Sequence, residues 1–561
     1  MIKKLINKLG WLDLKKTILN YNLKTFKADF WAGILVAVVG FPSVMAFAAL
    51  AGLNPIYGLH SFIIVTLVGA FFGASTFMVM GPTNMIALMI ASAIGSFTIS
   101  GLTIIEAVAL LTLMTGLIEI IISLIDFGRL TNYISRPVIV GLITGVAFTI
   151  TGKQLPKILG LNVEAKNIFI SLYQIILNFK NIDFSTFYIG FATLFMIIAV
   201  RKIKPKAPDY LMGVVFAIFL VFFLNIESEI ELIGNFQNSL PTFKIPVVDF
   251  NLALKLFSYS FAIAMLGFIN VVTITEINKK GAINKDQINK DYFSLGIVNM
   301  FCAFFNGFAG GASFSRSFVN FKAGAKTRFS KIIAGLAVLF FLLFFSSIIA
   351  FLPLASLSAI LILIAFQMVN LKEIKRILKT TKFDFLIFLS TFAATIFIPR
   401  LDYAVYVGII FSLLLILKES SDLNHSYLKI EDREINQREL EELEGEKQII
   451  IDLSGILHFN TVSNLEKELK EVFCKEKIFI LRMRNVESVD ITTISELENF
   501  VDKVRDNGGD VFFSGLSDQI RDDFKKYGLT KKLGVKNYFP KEKVLFSASK
   551  KAIKQAENNN S

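Results

Sequence analysis

Long apolar runs, broken by short polar or glycine-rich stretches, fill residues 30 to 418. Fourteen of these runs come near the roughly 20 apolar residues that one helical crossing of a bilayer requires. They lie near 30–52, 55–73, 82–98, 103–126, 136–153, 184–200, 208–225, 253–276, 291–308, 314–326, 331–351, 354–370, 383–399 and 402–418. The pattern predicts an α-helical polytopic membrane domain, in which some segments are too short to cross fully. Segment 166–180 is apolar but interrupted, and is expected to lie at the interface. After Lys418 the pattern changes. Residues 419–446 read as a charged linker. Strands at 448–453, 478–483 and 510–514 then alternate with helices at 463–474, 494–505 and 518–527, the signature of a small α/β domain. The expected organisation is an N-terminal segment 1–28, a membrane domain 29–418, the linker, an α/β domain 447–554 and a disordered tail 555–561.

The net charge of +13 would suggest nucleic acid if the cations were clustered on one soluble face. They fall instead in alternate loops: Arg129 and Arg136, "RKIKPK" (201–206), Lys279 to Lys290, Lys322 to Lys331 and Lys372 to Lys382. Intervening loops are acidic, as in "ESEIELIG" (227–234), or uncharged. This is the positive-inside pattern with both termini in the cytosol, and it excludes a nucleic-acid partner. Lys153 and Lys157 are the main exceptions, placed on the outer side. The start of the chain lacks a signal-peptide core and reads as an amphipathic cytosolic helix against membrane lipid. Two distant cysteines and three scattered histidines offer no disulfide or metal spacing, and no cofactor motif is present. No nucleophile–base pair or phosphate loop appears, so an enzyme is not expected.

Two membrane segments are broken in the same way. "FMVMGPTNMIALMIASAIGSF" has an extended run, a Gly-Pro break and a short apolar helix. "GGASFSRSFVNFKAGA" has a glycine-rich break and a short segment holding Arg316. They are the third and tenth runs, seven apart, and such pairs point to a transporter site. A helix that starts inside the membrane leaves its first N–H groups unpaired, and its dipole makes that end electropositive. Two such ends, at Thr83–Asn84 and Ser315–Ser317, would frame a small anion. Arg316 would add a full positive charge and raise local anion occupancy. The alternative is that Arg316 snorkels, or pairs with an acid such as Glu119.

At these residues the chain resembles the SulP anion permeases, the family that in animals includes prestin. "GFPSVMAFAALAGLNPIYGLH" (40–60) resembles the family's first-span signature, and "GPTN" (81–84) its third span. "SRPVIVGLITGVAFTITGKQLPKILG" (135–160) resembles the fifth. Residues 289–327 resemble the ninth and tenth, with Asn289, Gly296, Asn299, Arg316 and Asn320 in register. "LRMRNVESVDITTISELENF" resembles the family's C-terminal STAS domain. The resemblance implies fourteen spans in a 7+7 inverted repeat, with a core moving against a gate in an elevator-like cycle. It implies a homodimer and leaves room for a cytosolic partner of the STAS domain, while the abundance of Lys, Ile, Asn and Phe points to a bacterial source and so to an inner membrane. The substrate-binding residues it implies are Ser43, Met45, Phe47, Thr83, Asn84, Asn270, Ser313, Phe314, Ser315 and Arg316. Many bacterial relatives hold a coupling carboxylate in the eighth span. Here that position is Asn270, which carries no charge, and Glu276 is the remaining coupling candidate, near the helix end. Ile491 stands where the related regulators have a phosphorylatable serine, so a phospho-switch is not expected, and Thr492 and Thr493 are expected to cap the next helix.

Transport of a small inorganic or organic anion is the expected function, with sulfate foremost and bicarbonate, chloride or a dicarboxylate as further substrates. An uncoupled anion channel, or an anion sensor signalling through the STAS domain, are the alternatives.

Overall fold

The computed structural model describes residues 21–96, 103–125, 135–161, 163, 167–205, 207–234, 240–277, 285–398, 400–419, 424–431, 434–438, 447–534 and 536–559. The expected amphipathic start of the chain lies mostly outside these residues. The chain forms two compact units, Met1–Ser412 and Leu413–Ser561.

In the first unit a helix stands on each of the fourteen apolar runs. The first half gives α1 (Leu23–Leu50), α2 (Ile56–Phe72), the short strand β1 (Val79–Gly81), α3 (Asn84–Gly95), α4 (Ile104–Leu124), α5 (Arg136–Ile158), α6 (Ile168–Leu177), α7 (Phe184–Ile203) and α8 (Asp209–Leu224). The second gives α9 (Phe250–Ile277), α10 (Lys285–Ala303), β2 (Gly311–Ser313), α11 (Phe314–Lys322), α12 (Phe329–Ile349), α13 (Leu354–Met368), α14 (Leu371–Ile377), α15 (Lys382–Phe397) and α16 (Leu401–Glu419). Seven helices among the described residues are long and apolar enough to cross a bilayer unaided. The interrupted segment 166–180 becomes α6, whose side chains are mostly exposed or half-buried.

Helix pairing repeats between the halves. α1 and α2 pack on α12, as α9 and α10 pack on α4. α5 packs on α15, as α13 packs on α7. Glycine allows the closest of these contacts. A Cβ on Gly116 of α4 would stand 2.6 Å from the Gly296 carbonyl of α10, inside contact distance. α4 starts cleanly because Thr103 and Glu106 form a reciprocal capping box. Many lipid-depth aromatics, Phe195 and Phe344 among them, face outward, as expected where the solvent is hydrocarbon.

The second unit is a six-stranded sheet in the order β4-β3-β5-β6-β7-β8. Its elements are β3 (Asn424–Glu431), β4 (Glu434–Arg438), β5 (Gln448–Leu457), α17 (Val462–Val472), β6 (Ile478–Val489), α18 (Ile491–Asp506), β7 (Asp510–Leu516), α19 (Asp518–Tyr527), α20 (Leu529–Leu533), β8 (Tyr538–Pro540) and α21 (Ser547–Asn559). Strands β5 to β8 are parallel, with helices covering the sheet. The expected linker differs from the structure. Within it β3 and β4 form an antiparallel hairpin that extends the sheet, because Tyr427 and Leu428 have apolar neighbours to bury against. The expected disordered tail is helical to Asn559. Ala548, Ala552 and Ala556 recur every four residues along α21 and are all buried. The cap of α18 also differs. Asp490 is the N-cap, accepting from the Thr493 N–H at 2.8 Å, while the Thr493 hydroxyl donates to the Leu457 carbonyl.

Candidate functional site

The two broken segments meet in the interior of the first unit. β1 and β2 pair antiparallel, Val79 with Ser313 and Gly81 with Gly311. Immediately after them α3 starts at Asn84 and α11 at Phe314. Neither N-cap side chain, Thr83 or Ser313, bonds back to its helix. At α3 the Asn84 side chain accepts the Met85 N–H at 2.9 Å, so one donor of that first turn is used, while α11 has no side-chain cap; both ends stay electropositive. Both are also short, at 12 and 9 residues.

The sequence supplies the fasteners. Asn299 of α10 donates to the Gly310 carbonyl at 3.1 Å and accepts its N–H at 2.9 Å. A Cβ at Gly310 would meet the Gly81 backbone at 2.8 Å, so only glycine lets the strands approach. Ser317 accepts the Val79 N–H, and Asn320 donates to the Phe77 carbonyl, tying α11 to the approach of β1. Glu119 is fully buried and accepts from Asn299 at 2.8 Å. That bond places Glu119 in the fastening network rather than beside Arg316.

Arg316 sits behind the strands. It is 1% exposed, donates to the Pro82 carbonyl at 2.6 Å, and lies 5.3 Å over the Phe62 ring. No ion pair to it occurs among the described residues. Its charge is thus held at Pro82, two residues before α3 begins at Asn84, without a neutralising acid among the described residues, in surroundings where an unpaired cation is costly.

Both helix starts line one cavity of about 610 Å³. Of the residues expected at the site, Ser43, Phe47, Thr83, Asn84, Asn270, Ser313, Phe314 and Ser315 line it. Met45 and Arg316 do not. Met45 is fully buried in the apolar core, and the Arg316 guanidinium is turned toward Pro82 and Phe62. The Ser43 hydroxyl donates to the Gly40 carbonyl at 2.8 Å, so that proton is already used within α1. Asn270 stands beside Gly311. Glu276 belongs to the last turn of α9, and its side chain is outside the described residues. No carboxylate or ammonium lines the cavity among the described residues.

The far wall was not legible from motifs. Val138 and Leu142 of α5, Tyr210 of α8, Ile364 and Gln367 of α13, and Val405 of α16 form it. Tyr210 and Gln367 are bonded at 3.0 Å. The Asn84 amide touches the Met368 sulfur, bringing the broken-helix end against this wall. The apolar positions look in sequence like any other helix residues, and although Tyr210 and Gln367 are polar, nothing in sequence brings them to one cavity.

Two half-helices meeting tip to tip inside paired repeats define a multi-pass membrane transporter. The comparisons with known proteins agree. The model of the sulfate permease family matches residues 26–391, and that of the STAS domain residues 437–544. The chain belongs to the sulfate permease family. It is 28% identical over 527 residues to YvdB of Bacillus subtilis (strain 168), named as a candidate sulfate transporter, covering 92% of this chain and 97% of that one. It is 30% identical over 409 residues to the chloroplastic sulfate transporter 4.1 of Arabidopsis thaliana, covering 71% and 59%. The murine anion transporter Slc26a9, solved in an inward-facing state, shares the fold with a TM-score of 0.87 at 20% identity, covering 100% of this chain and 95% of that one. The transmembrane domain of the cyanobacterial bicarbonate transporter BicA matches with a TM-score of 0.60 at 21% identity, covering 70% and 98%. These relatives are named as transporters, and the chain is a transport protein rather than an enzyme.

Proposed function

We propose that the chain carries small anions across a bacterial inner membrane, with both termini cytosolic. The observation that supports this most is the joint presentation of two helix N-termini in one cavity that no carboxylate lines among the described residues, with an arginine behind them that makes no ion pair among those residues. Each terminus supplies roughly half a positive charge, and Arg316 one more, which together balance a doubly charged oxyanion. Sulfate suits that balance and the names of the relatives.

The anion is held at Thr83, Asn84, Ser313, Phe314 and Ser315, with Asn270 as a neutral neighbour and Arg316 acting through the Pro82 peptide. Residues 29–418 carry transport in an elevator-like cycle. The core holding β1, α3, β2 and α11 moves against the wall formed by α5, α8, α13 and α16. Residues 447–554 form a cytosolic STAS domain that contributes to a homodimer and meets a cytosolic partner. Because Asn270 cannot hold a proton or supply charge to sodium, transport is exchange or uncoupled flux.

The test is flux in proteoliposomes with labelled sulfate, bicarbonate, chloride and a dicarboxylate, each cation gradient set separately. Saturable flux of at least one anion, indifferent to proton and sodium gradients, is expected. Binding without flux would make the protein a sensor. Flux at rates far above carrier values would make it a channel.

A further inference from the structure

The cavity is lined by the inner parts of its helices. Val138 and Leu142 stand near the start of α5, Tyr210 near the start of α8, and Ile364 and Gln367 near the end of α13, each end next to a basic loop. On α9 the lining runs from Leu266 to Ile274, towards the end that adjoins another such loop. Ser258 lies about 12 Å outward of Leu266 along α9. On α16, Asp402 lies one turn outward of Val405, which also lines the cavity. The cavity therefore points inward, and Ser258 and Asp402 stand over its outer end.

These two residues belong to different bodies. α9 packs on β2 and α3, and so goes with the core. α16 is fixed to the wall, because a Cβ on its Gly408 would stand 2.5 Å from Val138 of α5 and 3.2 Å from Thr391 of α15. Side chains bridge the two bodies. Asp402 is fully buried, and a carboxylate at that depth needs donors. Arg400 supplies one at 2.8 Å from the wall's own chain. Another comes from across the boundary, where the Ser258 hydroxyl donates to Asp402 at 2.6 Å. The Tyr406 hydroxyl donates back to the Ser258 carbonyl at 2.6 Å. The Ser92 hydroxyl of α3 accepts the Leu401 N–H at 3.2 Å. Arg400 also lies 4.9 Å over the ring of Tyr259, the neighbour of Ser258. One donor to the wall's buried acid is therefore present only while α9 stands against α16.

We propose that Ser258, Asp402 and Tyr406 form an outer latch, which holds the core against the wall while the cavity faces inward and parts before the site opens outward. The inference rests on the topology and the transport reading above. It explains why a buried carboxylate in the wall takes a donor from the moving body when Arg400 is already paired with it. Without the Ser258 hydroxyl, Asp402 is short of a donor in the inward state, whereas water reaches it once the bodies part. The balance then moves outward.

The test reads the two membrane faces separately. Proteoliposomes of the full chain are sorted by protease access to the C-terminal unit, and labelled sulfate and bicarbonate are titrated from each face. Ser258→Ala and Tyr406→Phe each remove one hydroxyl and little else. Each should lower the half-saturating concentration at the outer face about fivefold, as the loss of one hydrogen bond implies. The inner value should stay level or rise. Ser258→Thr keeps the hydroxyl and should behave as the unmodified protein. A second readout needs no flux. Cys474 is exposed and Cys302 buried, so in a Cys474→Ser background Leu266→Cys offers a single thiol just inside the latch. An impermeant thiol reagent at the outer face should label it about fivefold faster once Ser258→Ala is added. Unchanged outer affinity or unchanged labelling in folded protein overturns the proposal. An equal shift at both faces, the mark of a general folding defect, overturns it too. Faster labelling with no saturable flux of either anion would uphold the latch and remove the transport reading.

Discussion

Replacing Arg316 by Met tests the electrostatic core of the site. The guanidinium bonds the Pro82 carbonyl, and the α3 terminus begins two residues on at Asn84. Two residues of extended backbone place an anion at that terminus about 7 Å from the charge. At the effective dielectric of about 20 that suits partly buried pairs, the attraction is about 2 kcal/mol. Its loss should weaken anion affinity roughly 30-fold. Arg316→Lys keeps the charge and should lose far less, although it loses the planar fork. Folding should survive, because Arg316 has no salt bridge to break among the described residues. The local losses are one hydrogen bond to Pro82 and the contact with Phe62, together about 1–3 kcal/mol. The assay is half-saturation of anion flux in proteoliposomes, paired with thermal unfolding at rising anion concentration in detergent. A monodisperse Arg316→Met protein whose affinity stays within threefold of the unmodified value would refute the argument.

Asn270→Asp adds a carboxylate to a wall that has none among the described residues. Anion uptake at neutral pH should fall more than tenfold and partly recover in acid, a profile read from initial rates between pH 5 and 8. Gly310→Ala should separate β1 from β2, because its Cβ would stand 2.8 Å from the Gly81 backbone. Loss of flux with retained membrane insertion is the outcome to look for. In the STAS unit, burial opposes ionisation of Asp490, yet N–H donors from Thr493 and Phe459 outweigh it and hold the carboxyl below its usual value. Its contribution is therefore present above the unfolded-state value and lost as pH falls through the lower folded one. Asp490→Ala should destabilise that unit by about 1 kcal/mol at pH 7. Hydrogen exchange should show the difference shrinking toward pH 3.

Periodicity located the membrane helices because lipid leaves so few ways to satisfy a backbone. The breaks at Gly81–Pro82 and Gly310–Gly311 stood out for the same reason, and both fell beside β1 and β2. Residue type did not reveal which way a side chain turns. Arg316 was expected at the ligand, but the Pro82 carbonyl and the Phe62 ring draw it behind the strands. Met45 has the right neighbours in sequence but faces the core. Gln367 and Tyr210 lie on different helices, and only tertiary packing brings them to the cavity. The hairpin β3–β4 was hidden by its many charges, which mask the alternation that buries Tyr427.

The union of Gly81 with Gly311 bridges 230 residues of chain. When the first half emerges from the ribosome, β1 has no mate, and its backbone groups must wait in hydrocarbon or at the insertion machinery. Assembly of the cradle is therefore a late event in biogenesis, delayed until the tenth segment is made. A chain interrupted before residue 311 would leave an open strand edge at membrane depth, a defect suited to recognition by quality-control proteases.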